Sequence, residues 1–350
     1  MAVNLDRVRS VQVSTALQET AYDTAVAVDS LIKVNAGVIA MEKADISDDT
    51  DLIGGTEEAD DQTVLAKHVE LPFAQSKARP HTLAFLAAHA MGAVNASLVG
   101  TVYKHHFTPT TSFTTLPSFT AEVLLKTGVQ YKYSGMFVDS FDLSVSRGAD
   151  RRVSLSASCF GSGTRVTGSA STSEFAESAL NATTAQVWLA ATTYAGTTGD
   201  ALSVSTEDLT SGGSGIKADL VSLDWNYSNN VDLDFLYEIG GGLGPNLASR
   251  VARSQTVSMV VLFDDYTYLT GMLDQTNYAI QVVVQGDEED TGPSRYEGFN
   301  LIWPKARVSV ADVQEQGGRL VMAMEVKPLQ DSTYGSVLLD VFTQKAAYIG

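Results

Sequence analysis

Apolar and polar residues alternate over residues 137–161. Phe141, Leu143 and Val145 are separated by polar side chains, and after the turn RGADR the return segment VSLSASC repeats the pattern. A period of two puts apolar side chains on one face of a strand and polar ones on the other. The stretch therefore predicts a hairpin with one buried and one solvent-facing side.

A second alternating stretch, residues 304–327, predicts a second hairpin. Its apolar face is predicted to hold Ala306, Val308, Val310, Leu320, Met322, Met324 and Val326, and its polar face Lys305, Arg307, Ser309 and Glu325.

The elements before each hairpin also recur in order. Residues 67–73 read as a strand, and HTLAFLAAHAM has helical spacing with Gly92 as its stop. In the second half, TVSMVVLFDD, YTYLTGMLDQ and YAIQVVVQG read as strand, short helix and strand. Tyr133-Ser134-Gly135 and Tyr296-Glu297-Gly298 are matched on this scheme. We interpret the order as an internal duplication, roughly residues 20–165 and 216–345.

The predicted fold class is mainly β with short helices, two copies of a β-sandwich or split barrel with one helix per repeat. The predicted divisions are a first repeat with an N-terminal arm (1–166), a Ser/Thr/Gly-rich connecting segment (167–215) and a second repeat (216–350). Within the connecting segment, VWLAATTY and ALSVS are candidates for an added strand pair. Each repeat also carries a long polar insertion, read as a loop: KADISDDTDLIGGTEEADDQ and NYSNNVDLDFLYEIGGGLGPNLASR.

Composition narrows the function classes. The chain has 350 residues, 44% hydrophobic and 18% charged, and its 23 basic against 41 acidic residues give a net charge of −18. Such a protein repels DNA, RNA and anionic membranes, so tight nucleic-acid binding is not expected. The single Cys159 allows no intrachain disulfide and fits folding in a reducing cytoplasm. MAVNLDRVRSVQVS lacks the apolar core of a signal peptide and no apolar run suits a membrane span, so a soluble protein is expected.

Candidate chemistry is sparse. The histidines, His68, His81, His89, His105 and His106, have no metal-ligand spacing. Cys159 lies on the apolar side of its strand and reads as a core residue. The acidic run at 48–61 lacks the order of a calcium loop, and GGGLG at 240–244 lacks the lysine of a phosphate loop. No catalytic, cofactor or metal site is predicted, and the chain is not expected to be an enzyme.

The segments FTAEVLLKTGVQYKYSGMFVDSFDLSVSRGADRRVSLSASCFGSG, VSMVVLFDDYTYLTGMLDQTNYAIQVVVQG and FNLIWPKARVSVADVQEQGGRLVMAMEVKP together resemble the tail tube proteins of long-tailed bacteriophages. The likeness lies in element order, hydrophobic pattern and turn placement. It implies a structural protein of the virion, made in the host cytoplasm, whose rings stack into the tube of a non-contractile tail. Single-copy members form hexameric rings, so a duplicated chain implies a trimer with pseudo-sixfold symmetry, with a hexamer as second choice.

The resemblance also implies partners: other copies of the chain, a tape-measure protein and transiting DNA held loosely in the channel, and the tail terminator and distal tail proteins. The resemblance gives candidate roles to two sets of residues. It implies no contact with a membrane and no cofactor. The candidate lumen-facing residues are Asp142, Ser144, Ser146, Ser154, Ser156, Ser158, Ser309 and Glu325. The candidate inter-ring residues are Asp48, Asp49, Asp51, Glu57, Glu58, Asp60, Asp61, Asn229, Asn230, Asp232 and Asp234.

Other functions compete with this interpretation. A tail-completion ring, a baseplate-proximal ring or the inner tube of a contractile machine would use the same fold. An enzyme or a carbohydrate-binding β-sandwich is disfavoured because Trp188, Trp225 and Trp303 are scattered rather than grouped as a sugar-stacking platform. A capsid-decorating protein or adhesin is a further alternative, and the expected lack of an export signal weakens the adhesin form.

Overall fold

The structure is a computed structural model. It describes residues 10–349 apart from 36–37, 50–60, 93, 110–114, 127–128, 148–150, 193, 197–201, 203–207, 211–214, 238–241, 246–249, 265 and 291–294.

Among the described residues, the first half of the chain holds ten strands and one α-helix. In chain order they are β1 (Ser10–Val13), β2 (Ser30–Ile32), β3 (Met41–Asp49), β4 (Asp61–Gln75), α1 (Pro80–Met91), β5 (Val94–Val99), β6 (Val102–Phe107), β7 (Phe119–Lys126), β8 (Val129–Ser146), β9 (Val153–Gly161) and β10 (Arg165–Thr167).

The described part of the second half holds eight strands and a shorter α-helix. They are β11 (Gln186–Ala190), β12 (Ile216–Ala218), β13 (Leu220–Ser228), β14 (Ser254–Leu262), α2 (Thr267–Leu273), β15 (Tyr278–Asp290), β16 (Arg295–Gln316), β17 (Arg319–Pro328) and β18 (Leu338–Thr343); short 3-10 turns occur at Ala182–Thr184 and Leu233–Leu236. The mainly β fold class with short helices is confirmed.

Each half is organised around one very long strand, β8 with 18 residues and β16 with 22. The first part of β8 pairs with β7 and its second part with β9, while β16 pairs first with β15 and then with β17. Both strands carry a bulge where the second pairing begins, at Asp139 and at Ser309. A bulge bends a strand and increases its twist, which lets one strand serve two layers.

Strand pairing repeats between the halves. Seven antiparallel pairings of the described first half have a counterpart in the second half. In the first half they are β1–β2, β1–β7, β3–β4, β4–β9, β7–β8, β8–β9 and β8–β10. In the same order, the counterparts are β11–β12, β11–β15, β13–β14, β14–β17, β15–β16, β16–β17 and β16–β18. Among the described strands, β5 and β6 form a hairpin that the second half does not match.

The matched registers correct one detail of the predicted duplication and confirm one predicted strand. Tyr133 lies six residues before the bulge at Asp139, and Trp303 lies six residues before the bulge at Ser309. Their cross-strand partners are Ala121 on β7 and Ile280 on β15. The counterpart of Tyr133 is therefore Trp303, and the alignment of Tyr133-Ser134-Gly135 with Tyr296-Glu297-Gly298 is wrong. The segment VWLA within 167–215 forms β11, which pairs with β12 and β15 as β1 pairs with β2 and β7. Most of ALSVS lies outside the described residues.

Helix α1 supports the sheets from the core side. It begins at Pro80, whose missing N–H costs nothing at a helix start, and ends at Gly92 with φ 78°, and all twelve of its residues are buried. One contiguous apolar cluster runs from Val11 to Tyr348 and includes α1. Two further pairings, β8–β13 and β6–β18, connect the halves directly.

Alternation predicted the buried faces of both hairpins well, with two exceptions. Phe141, Leu143 and Val145 are buried, as are Ala306 and Val308. Val310 and Leu320 are exposed, at 37% and 53%. The bulge at Ser309 shifts the alternation by one residue, so Val310 points outward and Ala311 replaces it in the core. Leu320 is paired beside the turn of the β16–β17 hairpin, opposite the exposed Glu315.

Candidate assembly surfaces

The sheet formed by β4, β9, the second part of β8, β13, β14, β17 and the second part of β16 has one side on the core and the other outside it. We call the outer side the polar face. Asp142, Ser146 and Glu325 are exposed there, and Ser309 is exposed at the bulge of β16. The other candidate lumen residues, half-buried on the same face, are Ser144, Ser154, Ser156 and Ser158.

Short polar side chains and carboxylates dominate this polar face. The Asn226 amide donates to Asp142 Oδ1 at 2.7 Å, and the Ser156 hydroxyl donates to Asp142 Oδ2 at 3.3 Å. Ser144 donates to Asp224. Asp312 and Glu325 add two more carboxylates from the second half. Carboxylates and hydroxyl groups are therefore the main polar groups of this face, and Lys327, two residues after Glu325 on β17, is a basic exception.

The β8–β13 pairing joins the two halves across this sheet. Trp225 lies opposite Leu143 and Asn226 lies opposite Asp142. On the core side, the fully buried Trp225 ring packs edge-on against Phe141, with centroids 5.2 Å apart, and against Trp303 at 6.1 Å. Aromatic pairs at these distances are favourable beyond their area burial. We call this arrangement the internal joint.

Two strand edges of the same sheet are open within the described chain. Past its bulge, β16 pairs with β17 on one side, and no described strand lies on its other side. At the opposite margin, β3 pairs with β4 and with no other described strand. Open edges present unpaired N–H and C=O groups and are templates for pairing with another chain.

The first polar insertion is a hairpin where the sequence was read as a loop. Asp48 and Asp49 lie in β3 and Asp61 begins β4, with Asp49 opposite Asp61; Asp51, Glu57, Glu58 and Asp60 lie outside the described residues. Ladder pairing continues well beyond the end of β9. We call the described residues 44–49 and 61–66 the arm; it is distinct from the predicted N-terminal arm of the first repeat. Ile46 and Leu65 on it are 55% and 61% exposed.

The second polar insertion folds back over the first half. Asn229 is fully buried and its Nδ2 donates to the carbonyl oxygens of Ala90 and Val138, both at 3.1 Å. Asn229 is thus withdrawn from the surface, and its assignment to an inter-ring contact is corrected. Asn230 is exposed with φ 47°, and Asp232 is half-buried; Asp234 lies in the Leu233–Leu236 turn.

Further along the same insertion, residues 231–237 and 242–244 cover the end of the first half's sheet. Leu236 packs with Leu116 and Phe137, and the Lys67 N–H donates to the Leu243 carbonyl at 2.7 Å. Gly244 lies so close to Ser162 that a Cβ there would be 2.3 Å from the Ser162 carbonyl oxygen. Of the GGGLG segment, Gly240 and Gly241 lie outside the described residues.

The corresponding end of the second half is an open cleft of about 550 Å³. It is lined by residues 250–255 together with Lys327, Pro328, Gln330 and Ser336. Arg250, Arg253 and Lys327 make the cleft basic, which is unusual in a chain with a net charge of −18.

The titratable groups singled out in the sequence lie mainly in the interior. Burial lowers the pKa of His81 to about 3 and that of His89 to about 4. The His81 Nδ1 bonds the Tyr348 hydroxyl at 2.7 Å, and the His89 Nδ1 bonds the Pro117 carbonyl at 3.2 Å. Burial raises the pKa of the Cys159 thiol well above its usual range. His81, His89 and Cys159 are therefore buried side chains of the core.

The remaining histidines pair with neighbours. His105 Nε2 bonds the Lys345 carbonyl at 2.7 Å, His106 Nδ1 lies 2.5 Å from Asp340 Oδ1, and His68 contacts Glu70 at 3.4 Å. Within the part of the chain that the structure describes, no three or more His, Cys, Asp or Glu side chains are grouped to hold a metal ion. No helix among the described residues is long and apolar enough to cross a membrane.

Comparison with known proteins adds one match. A family model described as phage tail tube protein matches residues 10–319, which includes β1, both long strands and both open edges. No curated protein matches the chain.

Proposed function

The chain belongs to the phage tail tube protein family, and from this premise we propose that three copies close into a ring with pseudo-sixfold symmetry, whose stacking forms an acidic conduit for DNA. The ring places the polar face toward the channel and the core-side layers outward. A hexamer of chains is the second choice.

The repetition of strand pairing carries this proposal. Seven pairings recur in both halves, and the internal joint shows how one half adds to the other through the edge of a long strand. A contact that can be repeated head to tail generates a ring if its rotation closes. We propose that the second-half hairpin continues the sheet between chains as the first-half hairpin does within one.

The electrostatics of the polar face support a conduit. Asp142, Asp224, Asp312 and Glu325 lie on it among serines, and none is a group that attracts phosphate. Each cation that neutralises a phosphate adds affinity through counterion release. An acidic and hydroxyl-rich wall would therefore let DNA and a tape-measure protein pass without holding them.

The remaining contacts of the tube are part of the same proposal. The ends of the tube meet a tail terminator and distal tail proteins, the chain resides in the virion tail, and it is made in the host cytoplasm. Exposed residues of the second insertion, Asn230 among them, are candidates for contacts between stacked rings, whereas the first insertion has an alternative contact within the ring.

Negative-stain electron microscopy of the purified chain over a range of protein and salt concentrations tests the proposal. Hollow tubes or stacked rings with an open channel and three-fold or pseudo-sixfold projections are the expected result. Single closed rings that never stack would favour a tail-completion or baseplate-proximal ring. A compact monomer at every concentration would refute self-assembly as an intrinsic property.

A further inference from the structure

We propose that the open edge of β16 receives residues 38–43 of a second copy, in the register of the internal joint, and that the second copy's arm lies in the basic cleft. The proposal rests on the ring proposed above and names the surfaces that form it. The contact is head to tail, so each copy gives one surface and receives the other.

The register follows from matched residues in the two halves. Val138 and Val308 each precede a bulge, and they pair with Cys159 and Val326. These two residues pair in turn with Leu71 on β4 and Val257 on β14, which therefore correspond.

One position earlier on those strands, Glu70 lies opposite Met41 and Thr256 lies opposite Asn226, so Met41 corresponds to Asn226. On the receiving side, the bulges align Asp142 with Asp312. In the internal joint Asn226 lies opposite Asp142. The second copy's Met41 is therefore expected opposite Asp312, and its Ala40 opposite Val313, as Trp225 lies opposite Leu143.

Exposure of the two edges shows what the contact would cover. Leu143 is fully buried in the internal joint, whereas its counterpart Val313 is 38% exposed. Ile39 and Met41 on the other surface are 46% and 41% exposed. Apolar side chains beside unpaired backbone groups favour pairing with another strand, because both the backbone and the side chains gain partners.

The cleft supplies a second, independent match. In the first half, the end of the sheet around Lys67 and Phe137 is covered by residues 231–237 and 242–244 of the second half. The corresponding end of the second half is the basic cleft, which no described segment fills. In the proposed ring, the arm of the next copy covers the end of the second half, just as residues 231–237 and 242–244 cover the end of the first half.

The charges of the arm and the cleft are complementary. The arm carries four acidic residues, Asp45, Asp48, Asp49 and Asp61. The cleft carries Arg250, Arg253 and Lys327. Opposite charges across an interface steer association and fix register, and their contribution falls as salt is added.

Paired cysteine substitutions test the register. The first test protein carries Met41→Cys and Asp312→Cys, and the second carries Ala40→Cys and Val313→Cys. Both are made because neighbouring residue pairs in an antiparallel ladder alternate between wide and close spacing, so one of the two pairs suits a disulfide. Under mild oxidation we expect disulfide-linked dimers and trimers on a non-reducing gel. The internal pair Asp142→Cys with Asn226→Cys is equivalent to the pair Met41 and Asp312, and whether it forms an intrachain bridge shows if that type of pair suits a disulfide.

A mismatched pair, Met41→Cys with Val313→Cys, is the control, because those side chains would lie on opposite faces of the joined sheet. Cross-linking of the mismatched pair with failure of both test pairs would overturn the register. Tubes by electron microscopy without cross-links in either test pair would overturn this interface and leave the tube function standing. Absence of both tubes and cross-links would refute the interface and the proposed function together.

Charge reversal tests the arm separately. Lys327→Glu, at an exposed position, should raise the protein concentration needed for assembly by about tenfold at low salt, and adding Asp48→Lys should restore part of the loss. Arg319→Glu, outside the cleft, is the matched control. If Lys327→Glu and Arg319→Glu changed the concentration needed for assembly equally, the proposed contact of the arm with the cleft would be refuted. If Lys327→Glu instead produced single rings that no longer stack, the arm would lie between rings.

Discussion

Replacing Asn229 by alanine separates a buried structural role from a surface role in ring stacking. The side chain is fully buried and donates to two carbonyl oxygens, on α1 and on β8. Its amide oxygen accepts no hydrogen bond among the described residues, so the two donated bonds are its polar contribution. The substitution removes both bonds and leaves both carbonyls without this donor.

The magnitude follows from these bonds. Each neutral hydrogen bond contributes about 0.5–1.5 kcal/mol, so loss of the two bonds should lower the free energy of unfolding by about 1–3 kcal/mol. The substitution also removes the unpaired amide oxygen, which places the expected loss in the lower part of this range. Urea denaturation, at a concentration where the wild-type chain sediments as a single species, measures this as a lower midpoint with an unchanged slope.

Asn95→Ala is the control, because Asn95 is exposed on β5 and its loss should change stability by less than about 0.5 kcal/mol. If Asn229→Ala had wild-type stability but failed to stack rings, the argument for a buried brace would be refuted and the surface assignment restored.

Three further predictions follow from buried groups and close backbone contacts. Burial lowers the pKa of His89 from 6.5 to about 4, so between these values the unfolded chain binds a proton that the folded chain does not. The contribution of His89 to the free energy of unfolding should be fully present above pH 6.5 and fall by about 3 kcal/mol toward pH 4. In urea melts at several pH values, His89→Gln should reduce the dependence of stability on pH. Gly298→Ala should cost about 4 kcal/mol or more, since its φ is 141° and a Cβ would lie 2.1 Å from the Val284 carbonyl oxygen; Gly242→Ala, with φ 98° and no atom within 4 Å of its Cβ, tests the backbone cost alone by the same melts. Cys159 is fully buried with a raised thiol pKa, so a thiol reagent should react only as fast as the chain opens; rapid labelling under native conditions would contradict the burial.

Period-two alternation was a reliable guide where strands had one face on the core, and less so where geometry depends on distant contacts. It placed Leu143 and Leu155 in the interior, and Pro80 with Gly92 marked the ends of α1. It missed the displacement of Val310, because a bulge depends on the partner strand and leaves no local signal.

The insertions show a second limit. Both are polar and look like surface loops, yet one continues as the β3–β4 ladder and the other buries Asn229 beneath α1. Polarity indicates that a segment cannot form a core, and it does not tell where its hydrogen bonds go. A buried asparagine that satisfies carbonyls from two elements looks, in sequence, like any loop asparagine.

The two halves differ at the place where the proposed ring of identical chains would need them to differ. The internal joint is permanent and uses Trp225, the kind of large buried anchor that suits a contact never exposed to water. The proposed contact between chains has Ala40 at that place, and its edge includes Glu42 and Lys43. Small and charged residues on an edge strand weaken indiscriminate pairing. In the proposed contact, the register and the complementary charges of the arm and cleft would supply specificity, so pairing is expected only where a second copy presents the matching surface.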